Sequence, residues 1–276
     1  MDFHILHRNN AGAEPPGDKD NRVMARTSKV SAELDAAQFA EQRLGFVPDA
    51  KQREVLLSKA KRGILNCSRQ WGKSTVAAAM AVHRVFTIPR SLVLVASPGE
   101  RQSAEFLRKA GTMLMHMGIA PRGDGDNSIS LLLPNGSRIV GLPGVEATVR
   151  GFSAVSLLLV DEAARVKDSM YKALRPMLAV GRGDLWLMST PWGRRGFFYE
   201  NWVRGGDEWM RVSVPATECE RIDAEFLEEE RAAAGSAWFR QEYLCEFTDA
   251  GVGLFAYDMV EEALDDDVTP LNFKSR

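Results

Sequence analysis

Cysteine is scarce and odd in number: Cys67, Cys219 and Cys245 stand far apart, and no signal peptide is expected. That usage excludes a disulfide scaffold and reads as a chain of a reducing compartment. The four histidines (His4, His7, His83, His116) show no ligand spacing with those cysteines, which argues against a zinc site. No apolar run approaches the ~18 residues of a membrane-spanning helix. There is no internal repeat and no low-complexity segment. The formal net charge of −2 excludes a generally basic nucleic-acid coat but leaves room for a local basic stripe.

What is present is a chain of 276 residues, 45% hydrophobic and 26% charged, long enough to bury a sizeable core. Residues 1–28 combine Pro, Gly and charge and read as a flexible arm. A helix is expected from Val30 to about Leu44, stopped by Gly45. A second helix follows Pro48, with Asp49 as its N-cap. The short apolar runs 63–67, 91–96, 155–161 and 184–189 read as buried parallel strands. Helices are expected at 74–87 and 169–179, and a hairpin at 127–144 around Pro134-Asn135-Gly136. This alternation predicts an α/β fold with a mainly parallel sheet, its core running from 29 to 210. Residues 211–260 carry one more strand and two charged helices, at 224–233 and 237–247, as a small C-terminal addition. Residues 261–276 read as a loose tail.

The stretch Cys67-Ser-Arg-Gln-Trp-Gly-Lys-Ser-Thr75 follows a strand and opens a helix, the context of a phosphate-binding loop. Its first glycine is replaced by Cys67, which is small and ends a strand, so the loop can still turn. Gly72 permits close approach, Lys73 reaches the β- and γ-phosphates, and Ser74 takes Mg²⁺. A chance Gly-Lys-Ser at a helix start is common, but a second motif weighs against it. Leu157–Val160 run into Asp161-Glu162, a buried strand ending in two carboxylates. Asp161 is the expected Mg²⁺ contact and Glu162 the general base that polarises water. Ser189-Thr190, ending the following strand, form a coupling motif that reports loss of the γ-phosphate. Gln52 offers the paired donor and acceptor that read adenine. With no Asn/Thr-Lys-x-Asp motif to read guanine, ATP is the expected nucleotide, contacted by Gln52 and by Ser68, Arg69, Gln70, Trp71, Gly72, Lys73, Ser74 and Thr75.

Six stretches in this order — FVPDAKQREVL, CSRQWGKST, SPGERQS, ATVRGFSAVSLLLVDEAA, MSTPWGRRGFFYENW and FRQEYLCEF — resemble the N-terminal ATPase half of the large terminase subunit of tailed phages and prophages. The resemblance implies a RecA-like P-loop ATPase of the additional-strand type, working in a homo-oligomeric ring that pumps double-stranded DNA into a procapsid. The implied partners are the portal protein and the small terminase subunit, in the host bacterial cytoplasm and transiently at the portal. By position, Arg69 is the loop arginine that approaches the γ-phosphate. Arg150 matches the arginine that some members insert into a neighbour's site; a plain surface arginine is the other reading.

The resemblance also implies an RNase H-like nuclease domain, for which the chain after Phe247 is too short, so no nuclease activity is expected. Asp265-Asp266-Asp267 read as solvated tail, not as a metal site. Arg194 and Arg195, with Trp192 and Phe197 nearby, are candidates for a DNA-backbone surface. Phe197, Phe198 and Trp202 also read as packing against the sheet. The competing readings are a helicase-like translocase, which needs a second RecA-like domain, and a non-catalytic ATP-binding assembly module of a decayed prophage.

Overall fold

The computed structural model describes residues 34–127, 129–142 and 151–248. The expected arm at 1–28, the tail at 261–276 and Arg150 lie outside these residues. Two short helices come first, α1 (Ala36–Arg43) and α2 (Ala50–Leu57). Each starts on a reciprocal capping box, Asp35 with Gln38 and Asp49 with Gln52, which satisfies backbone N–H groups that a helix start leaves free.

A seven-stranded sheet follows, ordered β3-β4-β2-β5-β6-β1-β7. Its strands are β1 (Arg62–Cys67), β2 (Leu92–Ala96), β3 (Ser130–Leu132), β4 (Arg138–Leu142), β5 (Leu157–Asp161), β6 (Asp184–Ser189) and β7 (Trp209–Val214). Among the described residues, every strand pairing is parallel except the β3–β4 hairpin. Alternate residues of the strands feed two cores. On one face Leu65, Val93, Val95, Leu159 and Trp186 meet α1, α2, α3 (Lys73–Thr87) and α4 (Glu100–His116). On the other, Ile64, Leu94, Leu158 and Leu187 meet α5 (Asp168–Leu174) and α6 (Gly196–Arg204). Burial on both faces is why these strands read as unbroken apolar runs in the sequence.

Three features differ from the sequence reading. The stretch 100–116, assigned no element, is the long helix α4; Ser103, Phe106, Leu107, Ala110 and Leu114 form its buried stripe. The domain boundary expected at residue 210 falls inside β7, which pairs in parallel with β1 and belongs to the sheet. The second strand of the hairpin is likewise a full member of the sheet, paired in parallel with β2. Beyond β7, α7 (Ala224–Ala234) and α8 (Ser236–Glu242) build a small core of their own from Ala216, Leu227, Phe239 and Tyr243.

Gly63 faces Trp186 across the β1–β6 ladder. A Cβ at residue 63 would overlap the indole ring, so the close fit of these two strands depends on the missing side chain. Gly63→Val is expected to destabilise the fold by about 1–3 kcal/mol through overpacking. A denaturant midpoint equal to that of the parent would contradict this.

Candidate functional site

The phosphate loop turns without its first glycine, and the structure shows how. Cys67 is the last residue of β1, fully buried and paired with Val214, so its backbone stays extended. The left-handed turns fall instead at Gln70 (φ 65°) and Gly72 (φ 100°). Trp71 is buried in the core and anchors the loop from within, so only its backbone is left for a phosphate. The Trp71 carbonyl accepts from Gln52 Nε2 at 2.7 Å and from Arg221 at 2.5 Å. Gly72 opens α3 in the left-handed region, and a Cβ there would press on Gln52 Nε2 at 3.0 Å. Behind the turn, Lys73 Nζ donates to the carbonyls of Cys67 at 2.7 Å and Ser68 at 2.8 Å.

Gln52 is itself consumed by the fold. Its Oε1 accepts from the Asp49 N–H at 2.9 Å in the capping box, and its Nε2 holds Trp71. The amide expected to read adenine is therefore buried and engaged at both ends, although the residue borders the cleft.

Because β6 is inserted between β1 and β5, the ends of three strands converge. Ser74 Oγ on α3 donates to Asp161 Oδ2 at 3.0 Å, joining the phosphate loop to the acidic strand. Burial pushes the Asp161 carboxyl upward, and the neighbouring Glu162 adds to this against the Ser74 hydrogen bond and the Lys73 charge. Glu162 sits in the left-handed region (φ 50°, ψ 41°) at the strand exit. Ser189 and Thr190 are buried at the end of β6, with Ser189 opposite Asn66 of β1.

Two residues given no role from the sequence tie these parts together. Arg165 donates to Glu162 Oε2 at 2.9 Å, to Thr190 Oγ1 at 3.1 Å and to Glu242 Oε1 at 2.8 Å. Glu242, at the end of α8, also accepts from Arg69 Nε at 2.7 Å and from Thr190 Oγ1 at 3.3 Å. Its side chain is 1% exposed. Burial works against its charged form, yet the Arg69 hydrogen bond and the charges of Arg165 and Arg69 hold its carboxyl below the ordinary range. Arg221 is a third such residue, bridging the Trp71 carbonyl and Asp49.

A cleft of about 860 Å³ brings together Gln52, Arg69, Gln70, Trp71, Gly72, Lys73, Ser74, Thr75, Glu162 and Arg165. Phe46, Val47 and Arg221 also border it, as do Gln102 and Lys109 of α4. A smaller hollow of about 350 Å³ is lined by Ser74, Asp161 and Glu162 together with Arg101, Gln102 and Lys109. Ser68 is buried with an unpartnered hydroxyl, so its side chain does not reach the cleft surface. No group of three or more His, Cys, Asp or Glu poised to hold a metal occurs among the described residues. Ser74 and Asp161 supply one hydroxyl and one carboxylate, a donor set that fits Mg²⁺ completed by phosphate oxygens and water.

The candidate DNA residues Arg194 and Arg195 lie at the entry to α6. Arg194 Nε donates to the Phe247 carbonyl at 3.1 Å, and exposed Arg195 precedes α6. Phe197 is buried and stacks on Tyr171 with centroids 4.0 Å apart, so it is part of the core and not of a nucleic-acid surface. Trp192 is 40% exposed, with the Arg165 guanidinium 4.7 Å from its ring centre. No helix of the described residues is long and apolar enough to cross a membrane.

Comparison with known proteins agrees with this arrangement. The family profile "Terminase large subunit, T4likevirus-type, N-terminal" matches residues 64–262. The curated terminase large subunit of Thermus phage G20c is 26% identical over 250 residues, covering 77% of this chain and 51% of that protein. The chain thus spans about half the length of that relative. Among solved structures, the ATPase domain of the Thermus phage P74-26 large terminase superposes with a TM-score of 0.69 at 23% identity, over 78% of this chain and all of that one. The large terminase of a thermophilic bacteriophage, solved in complex with ADP, gives 0.61 at 16% identity over 72% of this chain and 53% of its own. The folds agree as a mainly parallel, RecA-like P-loop sheet flanked by helices. With a phosphate loop, an acidic strand end and a family match over most of its length, the chain belongs to the T4likevirus-type terminase large subunit family, in the N-terminal part of that protein.

Proposed function

We propose that this chain is the ATP-hydrolysing motor domain of a phage large terminase, coupling ATP hydrolysis to translocation of double-stranded DNA into a procapsid. The observation that carries the reading is the Ser74–Asp161 contact, with Ser74 and Glu162 both lining the cleft beside it. It joins the two halves of a hydrolytic nucleotide site across an inserted strand. The relatives named as large terminases, one of them solved with ADP, support the same reading.

In this scheme the N-terminal turn of α3 and the loop N–H groups receive the phosphates, where helix-end partial charge favours anions. Lys73 exchanges its two loop carbonyls for phosphate oxygens. Ser74 and Asp161 hold Mg²⁺, which when bound neutralises charge on the phosphates. Glu162 orients and deprotonates the attacking water. Arg69 approaches the γ-phosphate, and Ser189-Thr190 relay its loss. Gln52, expected to read adenine, borders the cleft and holds the loop through the Trp71 carbonyl, and Arg150 is the arginine offered to a neighbouring subunit. The partners are a ring of like subunits, the portal protein and the small terminase subunit, with work done in the host cytoplasm and at the portal. Arg194 and Arg195 remain the candidates for DNA-backbone contact, without sequence preference.

The test is steady-state ATP hydrolysis across a range of protein concentrations, with the Glu162→Gln variant as blank. Specific activity that rises with concentration is expected, because an arginine supplied in trans is worth ~10³–10⁵ in rate. Activity independent of concentration would place the needed arginine in cis. No activity above the blank, with nucleotide still bound, would reduce the chain to a binding module.

A further inference from the structure

If Glu162 activates water, something must hold its carboxylate still. Its backbone lies in the left-handed region at the exit of β5, a conformation that a residue other than glycine keeps only when its surroundings impose it. Residue 165 imposes it twice. The Arg165 N–H donates to the Glu162 carbonyl at 2.8 Å, closing the 3-10 turn Ala163–Arg165, and the Arg165 guanidinium holds the Glu162 carboxylate at 2.9 Å.

We propose that Arg165 is a positioning residue of the hydrolytic step, acting through Glu162; the inference rests on the ATPase reading above. The guanidinium is fixed independently of the group it positions. One nitrogen donates to Thr190 Oγ1 and the other to Glu242 Oε1, while the plane lies over the Trp192 ring. Glu242 is in turn fixed by its own burial and by Arg69. A planar fork with five donors can serve three acceptors in one geometry, which a lysine ammonium on a flexible stem cannot reproduce. Holding the carboxylate in place is what matters to rate: a misplacement of about 1 Å costs about 10²-fold, on the scale of the ~10²–10⁴-fold that a general base contributes.

The test uses the full chain, with kcat and KM for ATP measured on Arg165→Ala and Arg165→Lys, each checked for folding by circular dichroism. Arg165→Ala is expected to lower kcat about 10²-fold at unchanged KM. Arg165→Lys is expected to recover only part of that loss, and it carries the test alone if the alanine variant does not fold. Under single-turnover conditions in the Glu162→Gln background, adding Arg165→Ala is expected to change the residual rate no further, since the carboxylate it holds is gone. An unchanged or raised kcat in either variant overturns the proposal. So does a loss carried by KM, which would make Arg165 a nucleotide contact, or a full additive loss in the Glu162→Gln background. An active parent with unaffected variants defeats this inference alone, whereas a parent inactive at every concentration defeats the ATPase reading and this inference with it.

Discussion

Glu162→Gln is expected to lower ATP turnover about 10²–10⁴-fold while leaving nucleotide affinity at the parent value, the range supplied by a well-placed general base. The amide keeps the size and hydrogen-bonding reach of the carboxylate but cannot take a proton from water at neutral pH. The groups proposed to hold phosphate and Mg²⁺ are other side chains: Lys73 and Ser74 at the start of α3, and Asp161 at the end of β5. Binding and turnover should therefore separate cleanly. Stopped hydrolysis with an unchanged dissociation constant for a fluorescent ATP analogue is the expected pair of results. Turnover close to that of the parent, well under the effect of losing a general base, would remove Glu162 from the role and leave the acidic strand a metal site without a base.

Glu242→Ala is expected to have the largest effect on stability, about 3 kcal/mol, or a melting temperature lower by about 6–12 °C. Its carboxylate is buried and holds Arg69, Arg165 and Thr190. Removing it leaves the guanidinium of Arg165, only 23% exposed, without one of its acceptors. Arg69 is 59% exposed and can turn to water, which keeps the cost at the lower end for a broken buried pair. Hydrogen exchange in α7 and α8 should quicken before the sheet melts, because Glu242 tethers that small core to Arg69 of the phosphate loop. A parent-like melting curve with unchanged exchange would show that the network adds nothing to stability.

The same carboxylate gives a pH dependence with a definite sign. Glu242 has its pKa lowered in the folded state, so its contribution is complete above the ordinary glutamate value of about 4.3 and is lost as pH falls through the lower folded value. Parent stability should therefore fall more steeply below about pH 4 than that of Glu242→Ala, as thermal melts across that range would show.

Much of this was legible in the residues taken in order. The apolar runs announced the strands because parallel strands covered on both faces have no polar side to interrupt them. The Asp49 cap announced α2, and the phosphate loop and acidic strand end were readable because each is a run of neighbours whose chemistry depends on adjacency. Helix α4, to which the sequence reading assigns no element, was equally readable: its stripe from Ser103 to Leu114 follows the helical period.

The rest depended on juxtaposition. Arg165 and Glu242 meet across 77 positions, Arg69 and Glu242 across 173, and Arg221 reaches Trp71 across 150. No local pattern marks an arginine that will stand between two carboxylates, nor a Gln52 whose amide is spent on a cap and a loop carbonyl. The sequence by itself determined the strands, the loop and the pair of carboxylates, because those follow from hydrophobic period and from chemistry between chain neighbours. Only the tertiary structure decided that Arg165, Thr190 and Glu242 meet beside the inserted strand and that Glu242 of α8 reaches Arg69 of the loop. Strand order and long-range ion pairs are set by how layers pack, and packing is a property of the whole chain.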